Sequence, residues 1–241
     1  GCSQNCRFCL TAQDGLIRNL TPAEIISQVR DIRHLTAGSG NLTNIVFMGM
    51  GEPLANYRNV IDALKVITDS DVGLKFSSRR ITLSTAGLVS RMADLGKDTQ
   101  INLAISLNAA DNDTRSRLMP INRKYPIEKL MQACIRYPLK NRNKITFEYI
   151  LMKGINDAPE DARRLAGLLR PVKAKINLIP YNTYEGSPFE CPDEPVISKF
   201  QDILIASHYT VMIRRSKGRD ISAACGQLRA RAIEEPLSMP K

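Results

Sequence analysis

Aromatic residues are scarce in this chain of 241 residues, at 5%, and no platform of them is evident on which single-stranded bases would stack. No apolar run approaches the roughly 18 residues that cross a bilayer, and no basic amphipathic helix stands out that would lie on one. Histidine is limited to His34 and His208, neither at a zinc-finger spacing. No Gly-Lys-Ser or Gly-Lys-Thr follows the glycines, which excludes a P-loop. Six cysteines are too few and too uneven for a disulfide framework in a domain of this size, so a reduced, cytoplasmic setting is expected. The opening Gly1-Cys2-Ser3-Gln4 is neither basic nor followed by an apolar stretch, so it is no secretory signal. It also lacks an initiating Met and stands at the edge of a cysteine cluster, which reads as a fragment.

What is abundant is positive charge. Lysine and arginine total 34 against 24 acids, a net +10. Such an excess favours a polyanion partner, because each cation on a phosphate releases counterions. Solvated surface is the bland alternative. Hydrophobic residues at 43% and charged residues at 24% are ordinary for a globular protein. Short β-branched runs alternate with helical stretches. Strands are expected at Asn44–Met48, Ile81–Ser84, Ile101–Leu107, Ile145–Leu151, Lys175–Ile179 and Tyr209–Ile213. Helices are expected at Pro22–Leu35, Val60–Asp69, Gly87–Asp94, Ile127–Tyr137, Asp161–Leu169 and Pro195–Ser207. In the first of these, Ile25, Ile26, Val29 and Ile32 recur at helical spacing behind Thr21, with Glu24 three residues on. The alternation predicts an α/β fold on a parallel sheet, open or rolled into a barrel. The core is expected over 1–230 and a frayed tail over 231–241.

Cys2, Cys6 and Cys9 form a C-x3-C-x2-C spacing on one short segment. Thiolates so close can wrap one compact metal centre. Structural zinc competes but wants four ligands. Three thiolates suit a 4Fe-4S cluster with one iron left open, the arrangement by which radical-SAM enzymes hold the amino and carboxylate groups of S-adenosyl-L-methionine. Next, a strand runs into Gly49-Met50-Gly51-Glu52-Pro53, where glycine permits close approach to a ligand and Glu52 could pair with an ammonium. Gly51-Glu52-Pro53 is also a plain turn. Three further strand ends are polar: Ser84-Thr85-Ala86-Gly87, Ser106-Leu107-Asn108 and Tyr181-Asn182. Ligands of (β/α) folds bind at such carboxyl ends. Glu148, inside an apolar strand, is either an interior site residue or a satisfied structural acid. Cys134 reads as core. Cys191 is a loop thiol with no base nearby in sequence. Cys225 lies among small residues after Arg214, Arg215, Lys217 and Arg219, where cations favour a thiolate.

These segments, with Arg18-Asn19-Leu20-Thr21, Met119-Pro120-Ile121-Asn122 and Asp220–Leu228, resemble the radical-SAM adenine methyltransferases of 23S rRNA and tRNA, the RlmN/Cfr-like family. The likeness covers nearly the whole chain. It implies a partial (β/α) barrel of the radical-SAM type. Cys2, Cys6 and Cys9 would ligate the cluster, and Gly51, Glu52, Ser84, Ser106, Leu107, Asn108 and Asn182 would bind S-adenosyl-L-methionine. Cys225 would accept a methyl group from one such molecule. A second would yield the 5′-deoxyadenosyl radical that activates that methyl for addition to the adenine ring. RNA would be the substrate, 23S rRNA first and tRNA as a further candidate, with an electron donor such as flavodoxin or ferredoxin and no membrane.

Two departures from the family pattern stand out. Asn108 occupies a position where many relatives carry His, so it can hydrogen-bond but cannot shuttle protons at neutral pH. The family's N-terminal RNA-binding region, the cysteine that resolves the protein–RNA adduct, a proposed glutamate proton acceptor and the first barrel strand would precede Gly1. Gly51-Glu52-Pro53 and Ser84-Thr85-Ala86-Gly87 resemble the carbon-2 members rather than the carbon-8 members that confer antibiotic resistance. The competing readings are a radical-SAM activase acting on a protein glycine, which has no use for Cys225, and a non-catalytic iron–sulfur RNA-binding module, which the scarcity of aromatics disfavours.

Overall fold

A computed structural model describes residues 1–215 apart from Asp14, Ser39, Asn141, Arg142 and Glu185. Cys225, Lys217, Arg219 and the tail at 231–241 lie outside the described residues. Two helices, α1 (Leu10–Gln13) and α2 (Pro22–Leu35), precede β1 (Ile45–Phe47). Then come α3 (Tyr57–Thr68), β2 (Ile81–Thr85), α4 (Val89–Asp98) and β3 (Asn102–Ser106). The chain continues through α5 (Asn112–Leu118), α6 (Ile127–Arg136) and β4 (Ile145–Leu151). It closes with α7 (Pro159–Leu169), β5 (Ala174–Pro180), α8 (Glu194–Ala206) and β6 (Val211–Ile213). The strands pair in sequence order, and every pairing is parallel.

The two faces of the sheet differ because successive side chains point to opposite sides. On one face Ile81, Leu83, Ile105, Phe147, Tyr149, Ile176 and Leu178 are fully buried. They pack with Leu64, Ile67, Met92, Leu95, Leu130, Leu165 and Phe200 of the covering helices in one core. The other face carries Ser84, Ser106, Thr146, Glu148 and Asn177. It is curled. Arg214, just beyond β6, places Nη1 3.5 Å from Sδ of Met48, just beyond β1. In a flat sheet five strand spacings would separate those edges by about 24 Å, too far for two side chains to bridge. No pairing joins β1 to β6 among the described residues, so the curl is an open partial (β/α) barrel, as expected.

The helix expected at Pro22–Leu35 has those bounds. Thr21 Oγ1 accepts from the Glu24 N–H at 3.3 Å, and Glu24 accepts from the Thr21 N–H at 2.8 Å. Arg18 joins this capping box through a two-pronged bond to Glu24, which draws that carboxyl down to about 2. The helix expected at Gly87–Asp94 instead runs from Val89 to Asp98. Sequence reading missed α5, whose Asn-Asp-Thr-Arg-Ser-Arg start shows no apolar period. Its nucleus is the Asp111 cap, which accepts from the Thr114 N–H at 2.8 Å. Replacing Thr21 with Ala removes one arm of the capping box and should cost about 1 kcal/mol in urea unfolding, with an unchanged m-value.

Candidate active site

Because all six strands are parallel, their carboxyl ends share one edge of the curl. Register aligns Ser84, Ala104, Thr146 and Lys175 across the concave face, and one step nearer that edge Ser106, Glu148, Asn177 and Met212. Ser84 Oγ donates to Glu148 Oε2 at 2.9 Å and lies 3.4 Å from Ser106 Oγ. Arg214 Nη1 stands 3.5 Å from the other oxygen of Glu148. Glu148 is therefore both an interior residue and a partnered acid. Beside it, Asn177 is 6% exposed, and its Oδ1 accepts no hydrogen bond among the described residues. Such an orphaned acceptor is costly unless a donor arrives from outside the chain.

The cysteine segment docks at the same edge. The Cys2 N–H donates to Gly15 O at 2.8 Å, and the Arg7 N–H donates to Leu118 O, at the end of α5, at 2.9 Å. Asn5 turns the chain with φ 54°. A Cβ on Gly1 would stand 1.9 Å from Gly15 O, so only glycine fits there. Gly51, at φ +122°, rests against the Gly1 carbonyl, with 3.4 Å to an added Cβ. Cys2, Cys6 and Cys9 are all free thiols. Burial first, then the neighbouring charges of Cys9 and Cys2, push the Cys6 thiol up to about 12. Burial likewise raises the Cys2 thiol, so two of the three thiols resist ionising without a compensating cation, which suits a metal cluster bound by thiolates. Among the described residues no three His, Cys, Asp or Glu side chains converge tightly enough for a single ion. A four-iron cluster does not ask for that convergence, since each thiolate takes a different iron.

The remaining expected residues divide into those that face the concave side and those that support it. Glu52 is buried and accepts from the Leu54 N–H at 3.0 Å and the Ala86 N–H at 2.7 Å, which ties the loop after β1 to the end of β2. Burial raises its carboxyl above the usual carboxylate range, against the pull of those N–H groups. The Thr85 hydroxyl also bonds it, and since a carboxylate has about four acceptor sites, about one remains. Leu107 belongs to the core, with its N–H on Glu148 O and its carbonyl on Arg115 Nε. It shapes the site from behind. Asn108, at φ 58° and 1% exposed, accepts from the Ile150 N–H at 2.9 Å and directs Nδ2 at Met119 Sδ, 3.3 Å away. A thioether is a weak acceptor, readily exchanged for a better one. Asn182 follows β5 by two residues at the same edge.

Sequence reading missed Asn177 and Arg115. Alternation along β5 was a usable signal for the first. For the second none existed, since its burial depends on the unforeseen α5. Of the four cations that precede Cys225 in sequence, the two among the described residues each meet an acid. Arg214 is drawn to Glu148. Arg215 makes a two-pronged ion pair with Glu194 at the start of α8, one arm at 2.8 Å. Both brace β6 rather than project as bare charge.

Residues 1–166 match the Radical SAM superfamily. The chain belongs to the radical SAM superfamily. The Dual-specificity RNA methyltransferase RlmN of Desulfosudis oleivorans is 62% identical over 230 residues, covering 95% of this chain and 62% of that protein. The RlmN of Syntrophus aciditrophicus is 52% identical over 237 residues, covering 98% of this chain and 68% of that protein. Within the superfamily the chain therefore groups with RlmN, although it spans less than two thirds of the first relative's length. A radical SAM methyltransferase from Sphaerobacter thermophilus superposes with a TM-score of 0.90 at 43% identity, over 94% of this chain and 67% of that one. Radical SAM proteins employ a 4Fe-4S cluster and S-adenosylmethionine. Among the described residues no helix is long and apolar enough to cross a membrane.

Cys134 is not part of the site. It is 2% exposed, and burial pushes its thiol up to about 12. In protein whose metal has been removed, Cys134 should resist iodoacetamide at pH 8 and react only after unfolding, as peptide mass mapping would record.

Proposed function

We propose that this chain carries the catalytic core of an RNA methyltransferase of the RlmN type, which adds a methyl group to carbon-2 of an adenosine in 23S rRNA and of tRNA, in the cytoplasm. One observation carries the reading. A loop of three free thiols is docked by Gly1–Gly51 and Arg7–Leu118 contacts onto the edge where the concave face holds an unsatisfied buried acceptor. The relatives' identity over nearly the whole chain gives the reaction class.

When bound, the cluster and S-adenosylmethionine supply the radical chemistry that an unactivated ring carbon demands. The protein supplies placement. Cys2, Cys6 and Cys9 hold the cluster. Gly51 offers backbone without a side chain in the way, and Glu52 accepts from the ammonium with its spare lone pair. Ser84 presents a hydroxyl held in position by Glu148, Ser106 presents one beside it, and Asn108 Nδ2 and the Asn182 amide add polar contacts. Leu107 keeps Ser106 and Asn108 in register. Asn177 Oδ1 accepts a donor from the cofactor, which ends its isolation. Cys225 is the methyl carrier, whose sulfur holds the methyl group that ends on the base. A low-potential donor such as flavodoxin or ferredoxin supplies the electron. The net +10 charge favours RNA as the partner.

Anaerobic reconstitution with iron and sulfide should give a brown protein with four irons, and Ala at Cys2, Cys6 or Cys9 should abolish the colour. Tetrahedral zinc in protein purified anaerobically from iron-rich cells would overturn the reading.

In the whole protein, Cys225→Ala should leave cluster and S-adenosylmethionine binding intact, still cleave some cofactor unproductively, and eliminate RNA methylation. Nucleoside digests analysed by mass spectrometry against authentic standards report both the loss and the carbon modified. Full methylation by the variant would sink the carrier role.

A further inference from the structure

Arg115, on α5, heads the fully buried side chains by size and is 1% exposed. A guanidinium does not give up its proton in ordinary solution, so burying one carries a charge into the interior. Buried charges persist only when bonded or paired. Each of its three nitrogens is bonded. Nε donates to Leu107 O at 3.0 Å, Nη1 to Asn122 Oδ1 at 2.9 Å, and Nη2 to Ala86 O at 2.8 Å and Ser106 O at 3.3 Å. Each of those acceptors is neutral. The ion pairs among the described residues do not include Arg115. The interior thus holds a cation whose every nitrogen is bonded and whose charge is unanswered among the described residues.

The surroundings identify what answers it. Cys6 packs against the apolar group of Ala86, Leu118 and Met119, and the Ala86 carbonyl is itself an acceptor of Arg115. The next residue, Arg7, is fastened to Leu118, three positions along the same helix from Arg115. The thiol and the guanidinium therefore share one wall. Burial lowers the Arg115 ionisation to about 10, and the group that most opposes this is Cys6, followed by Cys134. Cys134 is a core thiol with no role in the site. Cys6 becomes a thiolate once iron is bound.

We propose that Arg115 is a positioning residue for the reducing centre, its carboxylate-free guanidinium serving as the countercharge behind the cluster thiolate at Cys6, so that the centre is easier to reduce. This rests on Cys6 being a cluster ligand. Reduction brings one electron from a low-potential flavoprotein or iron–sulfur donor to the cluster. No bond or proton changes hands at Arg115. The added negative charge is stabilised by a fixed cation in a medium of low dielectric, one of the means by which a protein sets a cluster's potential. Arginine suits the task because its fork meets four neutral acceptors without losing its charge, which a buried lysine loses readily.

The test is a dithionite titration of the anaerobically loaded whole protein, with the reduced cluster followed by electron paramagnetic resonance. Arg115→Gln removes the charge and should disfavour reduction at least tenfold, a negative shift of about 59 mV for a one-electron couple. Asn122→Ala removes one acceptor of the fork, keeps the charge, and should hold the wild-type midpoint. An unmoved midpoint in R115Q, or an equal shift in both variants, overturns the inference. If R115Q retains no cluster, Asn122→Asp decides, because it keeps the fork and sets a carboxylate against Nη1 that offsets the charge. A negative shift of the midpoint supports the countercharge, and a wild-type midpoint or loss of the cluster there too assigns Arg115 to mechanical clamping and overturns it. A wild-type protein that binds no iron overturns this inference together with the reading beneath it, whereas a loaded wild type beside an unmoved R115Q overturns this inference alone.

Discussion

The structure depends on one imbalance between the faces of its sheet. Parallel sheets ordinarily bury both faces in apolar material. Here the outer face does so, with Ile105, Phe147 and Leu178 against the helices, while the inner face holds serines, Glu148 and Asn177. A polar concavity leaves the sheet short of burial on that side. Curling around a polar guest is the way such a face is completed, and the guest must bring a hydrogen-bond donor, because Asn177 Oδ1 has none among the described residues.

The loops follow from that constraint. Each tie at the rim runs between segments that follow different strands. Glu52 joins the segment after β1 to the one after β2. Asn108, after β3, accepts from β4 and receives the Asn156 amide on its carbonyl. Arg115 gathers carbonyls that follow β2 and β3. With the rim cross-linked in this way, displacement of one strand end carries its neighbours along. That arrangement suits a site whose polar contacts are drawn from several strands and must stay aligned.

Much of this was legible in the sequence. The cysteine spacing, the Thr21–Glu24 cap and the β-branched runs are local signals, and local hydrogen bonding decided their outcome. Ser84 and Ser106 were visible as polar strand ends, and parallel alternation brought their hydroxyls together. Asn108 and Leu107 were less transparent. Both stand at a polar strand end, yet the left-handed turn at Asn108 sends its side chain inward to bond β4, and Leu107 faces the helices. Arg214 and Arg215 looked like available cations because charge in a sequence carries no record of which carboxylate folding will bring beside it. Arg115 is the extreme case, since nothing in its own neighbourhood of sequence marks it for burial.

The open seam of the curl has a colloidal consequence. Exposed sheet edges offer unpaired N–H and C=O groups to other chains, and long flat ones template aggregation. Both strands bordering this seam, Ile45–Phe47 and Val211–Ile213, are only three residues long, and Arg214 crosses between the segments that follow them. The seam therefore presents very little ribbon for a second copy to zip onto, and the open curl does not become an adhesive border.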